Sequence, residues 1–192
     1  MQKRSHWLLA SALLQNYQGF SRRRFEWAFL LGSCQPDCNP LSYLKGSLRG
    51  RFLRGHDFSN SHSYLITRIR QLRRRTHWNL WHYYTLGKLT HYLADAFTYP
   101  HNAGFPTSFT GHRPYERALR LYLKHYLSNH PPLPQTASQN PEYDLYRLHQ
   151  QYSQQSSDIP RDVSFILQGV DLLMGACAPA AAFPKAHRNV CF

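Results

Sequence analysis

Apolar residues recur every three or four positions along most of the chain, which is the spacing of one face of an α-helix. A clear example is the stripe formed by Val163, Ile166, Leu167 and Val170. No segment shows the strict alternation that is typical of a strand. The pattern predicts helices over about residues 6–18, 22–32, 58–74, 77–98, 110–128, 142–155 and 160–175. An all-α fold, a multi-helix bundle, is therefore expected.

Several polar, glycine and proline positions set the limits of these helices. Ser5 stands where an N-cap would start the first helix. The second helix is expected to end at Gly32, and Pro36 and Pro40 predict a loop after it; Pro100 ends the fourth helix. Gly87 lies inside that fourth helix, where it is expected to leave room beside the residues that follow it.

The length of 192 residues suits one domain. We expect that domain to span residues 1–176, with residues 177–192 forming a flexible C-terminal tail. The N-terminal segment is interrupted by polar residues and lacks a clear cleavage site. No stretch approaches the roughly 18 consecutive apolar residues of a membrane span. The expectation from these features is a cytoplasmic protein, with peripheral membrane contact left open.

The formal net charge is +13, and much of it lies in arginine runs at residues 22–24 and 73–75. Such runs can form a solvated surface, or they can attract a polyanion, which would be an anionic membrane or nucleic acid. Charge alone does not separate these partners. A positively charged surface also suits an anionic, phosphate-containing substrate.

The candidate chemistry is concentrated in a short segment. His91 and Asp95 are spaced i,i+4, as are His112 and Glu116, and His101 follows Pro100 between the two pairs. On a helix this spacing places both side chains of a pair on one face. Each pair is a weak signal alone, but together they supply five possible metal ligands.

Additional ligands must come from other elements, because one helix face cannot surround a metal. His6 heads an apolar stripe and is expected to point inward, and Asp37 follows Pro36. His56 or His62 could add one more imidazole. Imidazole and carboxylate groups are zinc ligands, and zinc lowers the pKa of a bound water toward about 7. The sequence therefore predicts a multinuclear zinc site.

At these residues the chain resembles the bacterial zinc-dependent phospholipases C. The resemblance covers about residues 5–128, and the single-strand-specific zinc nucleases are more distant relatives. It rests on four groups of residues: Ser5, His6 and Leu8; Gly32, Pro36 and Asp37; Arg54, Gly55 and His56; and the run His91, Asp95, His101, His112 and Glu116. It implies an all-α domain with two to three zinc ions at the base of a cleft.

The resemblance also implies a role for each ligand. His91 and Asp95 would bind the first zinc with Asp37 and a histidine, for which His56 is favoured over His62. The second zinc would have His101, His112 and Glu116 as its ligands. Asp95 would bridge to a third zinc held by His6. Asp37 would also act as the general base or orient the attacking water.

One departure from the family lies at the N-terminus. Secreted members chelate the third zinc with the amino group and carbonyl of a mature N-terminal tryptophan. No tryptophan precedes His6 in this chain, and Trp7 follows it. The third site is therefore expected to be weak, differently ligated or empty.

Three functions remain open at this point. The leading one is a zinc-dependent phosphodiester hydrolase of the phospholipase C type, acting on a phospholipid. A zinc nuclease would share the metals and explain the basic surface, although nucleic acid is the less favoured substrate. A non-catalytic, zinc-stabilised helical protein could bind anionic surfaces through its arginines.

Overall fold

The computed structural model describes residues 1–17, 19–38, 58–102, 109–130, 138–154 and 158–177, without the side chains of residues 58–61 and 109–112. Within these ranges the chain is helical and contains no strand, so the predicted all-α class is confirmed. The helices are α1 (Lys3–Asn16), α2 (Arg23–Cys38), α3 (Phe58–Arg73), α4 (Leu80–Ala96), α5 (Phe109–Asn129), α6 (Pro141–Ser153) and α7 (Ile159–Cys177), with a short 3₁₀ helix at Tyr99–His101. Apart from the end of α2, the predicted limits fall within three residues of these bounds.

Helix α4 lies at the centre of the bundle and packs against α1, α2, α3 and α7. Because neighbours surround it, its residues from Leu89 to Ala96 are buried on every side. Asn79 caps its N-terminus: its side chain accepts a hydrogen bond from the backbone N–H of His82, and its own backbone N–H donates one to Nδ1 of the His82 ring. One continuous cluster of buried apolar side chains draws residues from all seven of these helices.

Helices α2 and α4 run parallel and approach each other unusually closely. Phe25 stacks on Tyr83 near their N-terminal ends, with ring centroids 4.4 Å apart. Farther along, a Cβ at Gly32 would lie 2.1 Å from the Tyr84 carbonyl oxygen, and one at Gly87 would lie 2.1 Å from that of Phe29. The close approach of α2 therefore explains why position 87 of α4 is a glycine. Both helices end at the group of polar residues described below.

Two predicted helix ends are wrong. Helix α1 begins at Lys3 after the N-cap residue Gln2, and Ser5 is a buried residue inside the helix. Helix α2 continues through Pro36 to Cys38, so no loop begins at Gly32. A proline removes only one backbone donor in the final turn of a helix, and Gly32 serves the contact with α4 instead of ending α2.

The remaining features concern the C-terminus and the membrane. Cys177, where the predicted tail starts, is the buried last residue of α7. Residues 178–192 lie outside the described part of the chain. Among the described helices, none combines the length and the apolar character needed to cross a bilayer.

Candidate metal centre

Four of the predicted ligands meet where α1, α2 and α4 converge. His6 comes from α1, Asp37 from the last turn of α2, and His91 and Asp95 from α4. One ligand atom from each lies within 4.8 Å of all the others. His6, His91 and Asp95 are almost completely buried, whereas the side chain of Asp37 keeps 15% of its surface exposed. The sequence predicted a loop at Asp37, but the structure places this residue in the last turn of α2.

Asp95 connects the two sides of this group. Its Oδ2 lies 3.3 Å from Nε2 of His91, one helical turn earlier, as the i,i+4 spacing predicts. Its Oδ1 lies 3.2 Å from Nε2 of His6 and 3.8 Å from Nε2 of His101. The two oxygens of one carboxylate thus face different sets of nitrogen ligands, which is the arrangement that a bridging carboxylate requires.

A backbone contact fixes the orientation of His91. Its Nδ1 lies 2.9 Å from the carbonyl oxygen of Ser33 in α2. A carbonyl can only accept, so Nδ1 carries a proton, and in the neutral ring Nε2 then has the lone pair that a metal needs. Such a hydrogen bond on the far nitrogen is the usual support of a metal-binding histidine. Nε2 of His91 lies 3.6 Å from Oδ1 of Asp37.

His6 stacks on His91, with ring centroids 3.7 Å apart. Burial and the neighbouring His91 ring together lower the pKa of His6 to about 3, against the opposing effect of Asp95. The ring is consequently neutral at physiological pH, which is the form that binds metals. Its buried Nε2 makes no hydrogen bond of good geometry within the described residues, and it points at the carboxylates of Asp95 and Asp37.

The amino group of Met1 lies on the other side of Asp95. It is fully buried, 2.5 Å from Oδ1 of Asp95, 3.0 Å from Nε2 of His101 and 3.5 Å from Oε1 of Glu116. Burial alone would lower the pKa of this amino group, but Asp95 and Glu116 outweigh it and raise the pKa. These residues thus surround a cation in this structure. No pattern in the sequence indicated that the amino group of Met1 lies here.

Asp95 remains ionised in these surroundings. Burial by itself raises the pKa of a carboxyl group, because it disfavours the charged form. The Met1 amino group, His101 and His6 more than offset this effect and hold the pKa of Asp95 well below its usual value. An ionised, buried carboxylate between several nitrogen ligands is a strong attractor for a divalent cation.

Asp162, a residue that no sequence pattern singled out, anchors the segments that carry the predicted ligands His101 and Glu116. This buried carboxylate of α7 accepts the backbone N–H of Tyr99 at 2.7 Å and the hydroxyl groups of Tyr115 at 2.6 Å and Tyr152 at 2.8 Å. Tyr99 begins the 3₁₀ helix that ends at His101, and Tyr115 immediately precedes Glu116. One carboxylate thus anchors both segments.

The other predicted ligands are placed less completely. His56 lies outside the described residues. His112 lies in α5, one turn before Glu116, but its side chain is outside the described part. His62, the alternative to His56, is half-buried against the ring of Tyr146 and does not belong to the group of four.

The donor set fits zinc. Zinc binds imidazole nitrogen and carboxylate oxygen, and it takes ligands from several elements in a closely spaced group. Two stacked imidazoles and two carboxylates packed together in a buried site are stabilised when a cation lies among them. The His6 nitrogen directed at two carboxylates gains a partner when a cation lies between them.

Comparison with known families is consistent with this chemistry. The sequence model described as zinc-dependent phospholipase C matches residues 5–165. This range includes every predicted ligand from His6 to Glu116 and extends well beyond residues 5–128, over which the resemblance was expected. Searches among curated proteins and solved structures returned no match. The chain belongs to the zinc-dependent phospholipase C family.

Proposed function

We propose that this protein hydrolyses a phosphodiester bond of a phospholipid at the centre formed by His6, Asp37, His91 and Asp95. Membership of the zinc-dependent phospholipase C family supports a zinc-dependent activity of this type. The observation that carries the proposal is Asp95, whose Oδ2 faces His91 while its Oδ1 lies between His6 and His101. Such a carboxylate suits two or three zinc ions held side by side.

We assign the ligands in two groups. His6, Asp37, His91 and Asp95 hold zinc on one side, and His56 is a further candidate there. On the other side Asp95 is joined by His101 and Glu116, to which His112 is added because it lies one turn before Glu116 in α5. The first group is supported by the mutual distances within 4.8 Å. The second is supported by the buried amino group that His101, Glu116 and Asp95 surround.

Zinc bound at this centre supplies a Lewis acid to the phosphoryl oxygens and lowers the pKa of a coordinated water. Asp37 is our candidate for the group that orients that water and accepts its proton. It retains an exposed fraction of 15%, whereas His6, His91 and Asp95 retain at most 1%. A carboxylate that both borders the buried ligands and reaches solvent can carry a proton away from the site.

The test combines zinc content with two substrates. Turnover of phosphatidylcholine and of single-stranded DNA is measured for the parent protein, with and without a chelator. The variants are His91→Ala, Asp37→Asn and the matched control His125→Ala, an exposed histidine on α5. We expect lipid cleavage that the chelator abolishes. We also expect His91→Ala to lose zinc and turnover together, and Asp37→Asn to lose about 10²-fold or more in turnover.

The outcomes separate the three functions. Cleavage of DNA without cleavage of lipid would replace the proposal by a nuclease. Tightly bound zinc with neither activity would indicate a zinc-stabilised, non-catalytic protein. Unchanged lipid turnover in His91→Ala, with His125→Ala behaving like the parent, would disprove the assignment of the site.

A further inference from the structure

Three exposed tryptophans lie on the outer surface of α1, α2 and the start of α4. Trp7, Trp27 and Trp81 have exposed fractions of 40%, 55% and 65%. Large aromatic side chains are normally buried, so an exposed group of them marks a contact surface. Leu31 and Leu80 are also exposed on these helices. We refer to Trp7, Trp27, Leu31, Leu80 and Trp81 as the tryptophan face.

These side chains form a connected surface. The rings of Trp7 and Trp27 lie 6.2 Å apart across the α1–α2 contact. Leu31 follows Trp27 by one turn of α2, and Arg24 precedes it by three residues, on the same side of the helix. Arg24 shares a shallow surface depression with Leu80 and Trp81 at the start of α4. The face therefore continues from α1 across α2 to α4.

Basic residues accompany the tryptophans. Lys3 and Arg4 lie one turn before Trp7 on α1, and Arg22, Arg23 and Arg24 precede or begin α2. All five are exposed. Helices α1 and α2 carry only two carboxylates, Glu26 and Asp37, and Asp37 belongs to the metal centre. The tryptophan face therefore lies in a positive field.

This combination matches the surface of a bilayer. Tryptophan prefers the interface between lipid headgroups and acyl chains, and cations near the surface are attracted to anionic lipid. The aliphatic Leu31 and Leu80 gain from contact with acyl chains but have no base-stacking role on a nucleic acid. We propose that the tryptophan face docks this protein on bilayers that contain anionic phospholipid.

The position of the face relates docking to the metal centre. His6 and Trp7 are adjacent on α1, and one points inward while the other points outward. Trp27 and Asp37 are separated by ten residues of α2, which corresponds to about 15 Å along a helix. Docking through this face would hold the centre close to the membrane surface. The proposal concerns binding, so it holds whether or not the protein cleaves lipid.

The experiment measures binding to vesicles of phosphatidylcholine, alone or with about one third phosphatidylserine. Brominated acyl chains serve as the probe, because they quench tryptophan fluorescence and stay in the bilayer even if headgroups are removed. We expect quenching that requires phosphatidylserine and weakens with salt. The variant Trp27→Ala/Trp81→Ala should lower the partition coefficient by about tenfold or more. Arg23→Ala/Arg24→Ala should lower it selectively on anionic vesicles.

Matched controls come from other parts of the surface. Leu121→Ala/Tyr143→Ala removes side chains that are 56% and 57% exposed on α5 and α6. Arg74→Ala/Arg75→Ala removes two exposed cations after α3. Both should bind vesicles like the parent. Equal loss of binding in the controls and the test variants would overturn the proposal. So would binding of single-stranded DNA, or self-association, that depends on Trp27 and Trp81 without any quenching by vesicles.

Discussion

Replacing Asp162 by asparagine should weaken zinc binding at a site that Asp162 does not itself touch. The carboxylate accepts hydrogen bonds from the Tyr99 backbone and from the hydroxyl groups of Tyr115 and Tyr152. An asparagine keeps the shape of the side chain but loses its charge, and an NH2 group in place of Oδ1 cannot accept the bond from Tyr152. The bonds from Tyr99 and Tyr115, which hold the segments that carry His101 and Glu116, become weaker because their acceptor is no longer charged.

The magnitude follows from the three bonds. Hydrogen bonds to a charged group contribute about 1.5–3 kcal/mol each, and neutral ones about 0.5–1.5 kcal/mol. Losing the charge therefore costs about 1 kcal/mol per bond, and we expect the free energy of unfolding of Asp162→Asn to fall by about 3 kcal/mol. Loosened support of metal ligands typically lowers metal affinity by about 10- to 100-fold. We expect that loss for the zinc near His101 and Glu116.

Asp171 provides the matched control. It is another buried carboxylate of α7 and accepts a hydrogen bond from the Tyr17 hydroxyl group, away from the metal centre. Burial and this bond raise the pKa of Tyr17. Asp171→Asn should lose about 1 kcal/mol of stability for the weakened bond from Tyr17 and keep its zinc affinity.

The assay titrates zinc against a coloured chelator and measures urea unfolding of the metal-free proteins. Asp162→Asn should be less stable than the parent and bind one zinc more weakly, whereas Asp171→Asn should only be less stable. If Asp162→Asn lost stability as expected but bound all its zinc with parental affinity, the positioning role of Asp162 would be refuted.

Three further predictions test the fold around the centre. Gly87→Ala should destabilise the protein by about 1–3 kcal/mol in urea, because its Cβ would collide with the Phe29 carbonyl, whereas the exposed Gly175→Ala should not. Burial lowers the pKa of His149 to about 4, so the unfolded chain binds more protons between about pH 6.5 and 4 and stability falls as the pH falls through that window. His149→Gln should flatten that decline in chemical unfolding measured across the window, and an unchanged slope would contradict the assignment. A chain that ends at Cys177, the last buried residue of α7, should keep its zinc content and turnover, and loss of either would show that residues 178–192 belong to the domain.

The helices were predictable because burial repeats along them with a regular period. The i,i+4 spacing of His91 and Asp95 likewise placed both side chains on one face of α4, where the structure has them. The direction of His6 followed from its place in an apolar stripe, and it is buried as expected. The local sequence pattern was sufficient to predict the position of a side chain when that position depended on one helix alone.

Predictions failed where the role of a residue depends on a contact with an element that is distant in the sequence. Gly32 resembled a helix end, but it is the point at which α2 meets the backbone of α4 at Tyr84. Asp162 lies 63 residues after Tyr99 and 47 after Tyr115, and nothing in its local sequence reveals those partners. The amino group of Met1 reaches Asp95 across 94 residues. Such contacts depend on how the helices pack, which periodicity does not specify.

The most direct test of the central claim is anomalous scattering at the zinc absorption edge from crystals of the purified protein. We predict strong peaks on both sides of Asp95, one next to His6, Asp37 and His91 and another next to His101 and Glu116. The peaks next to His91 should be missing in His91→Ala and present in His125→Ala. Crystals grown with zinc that showed no peak beside Asp95 would contradict the account.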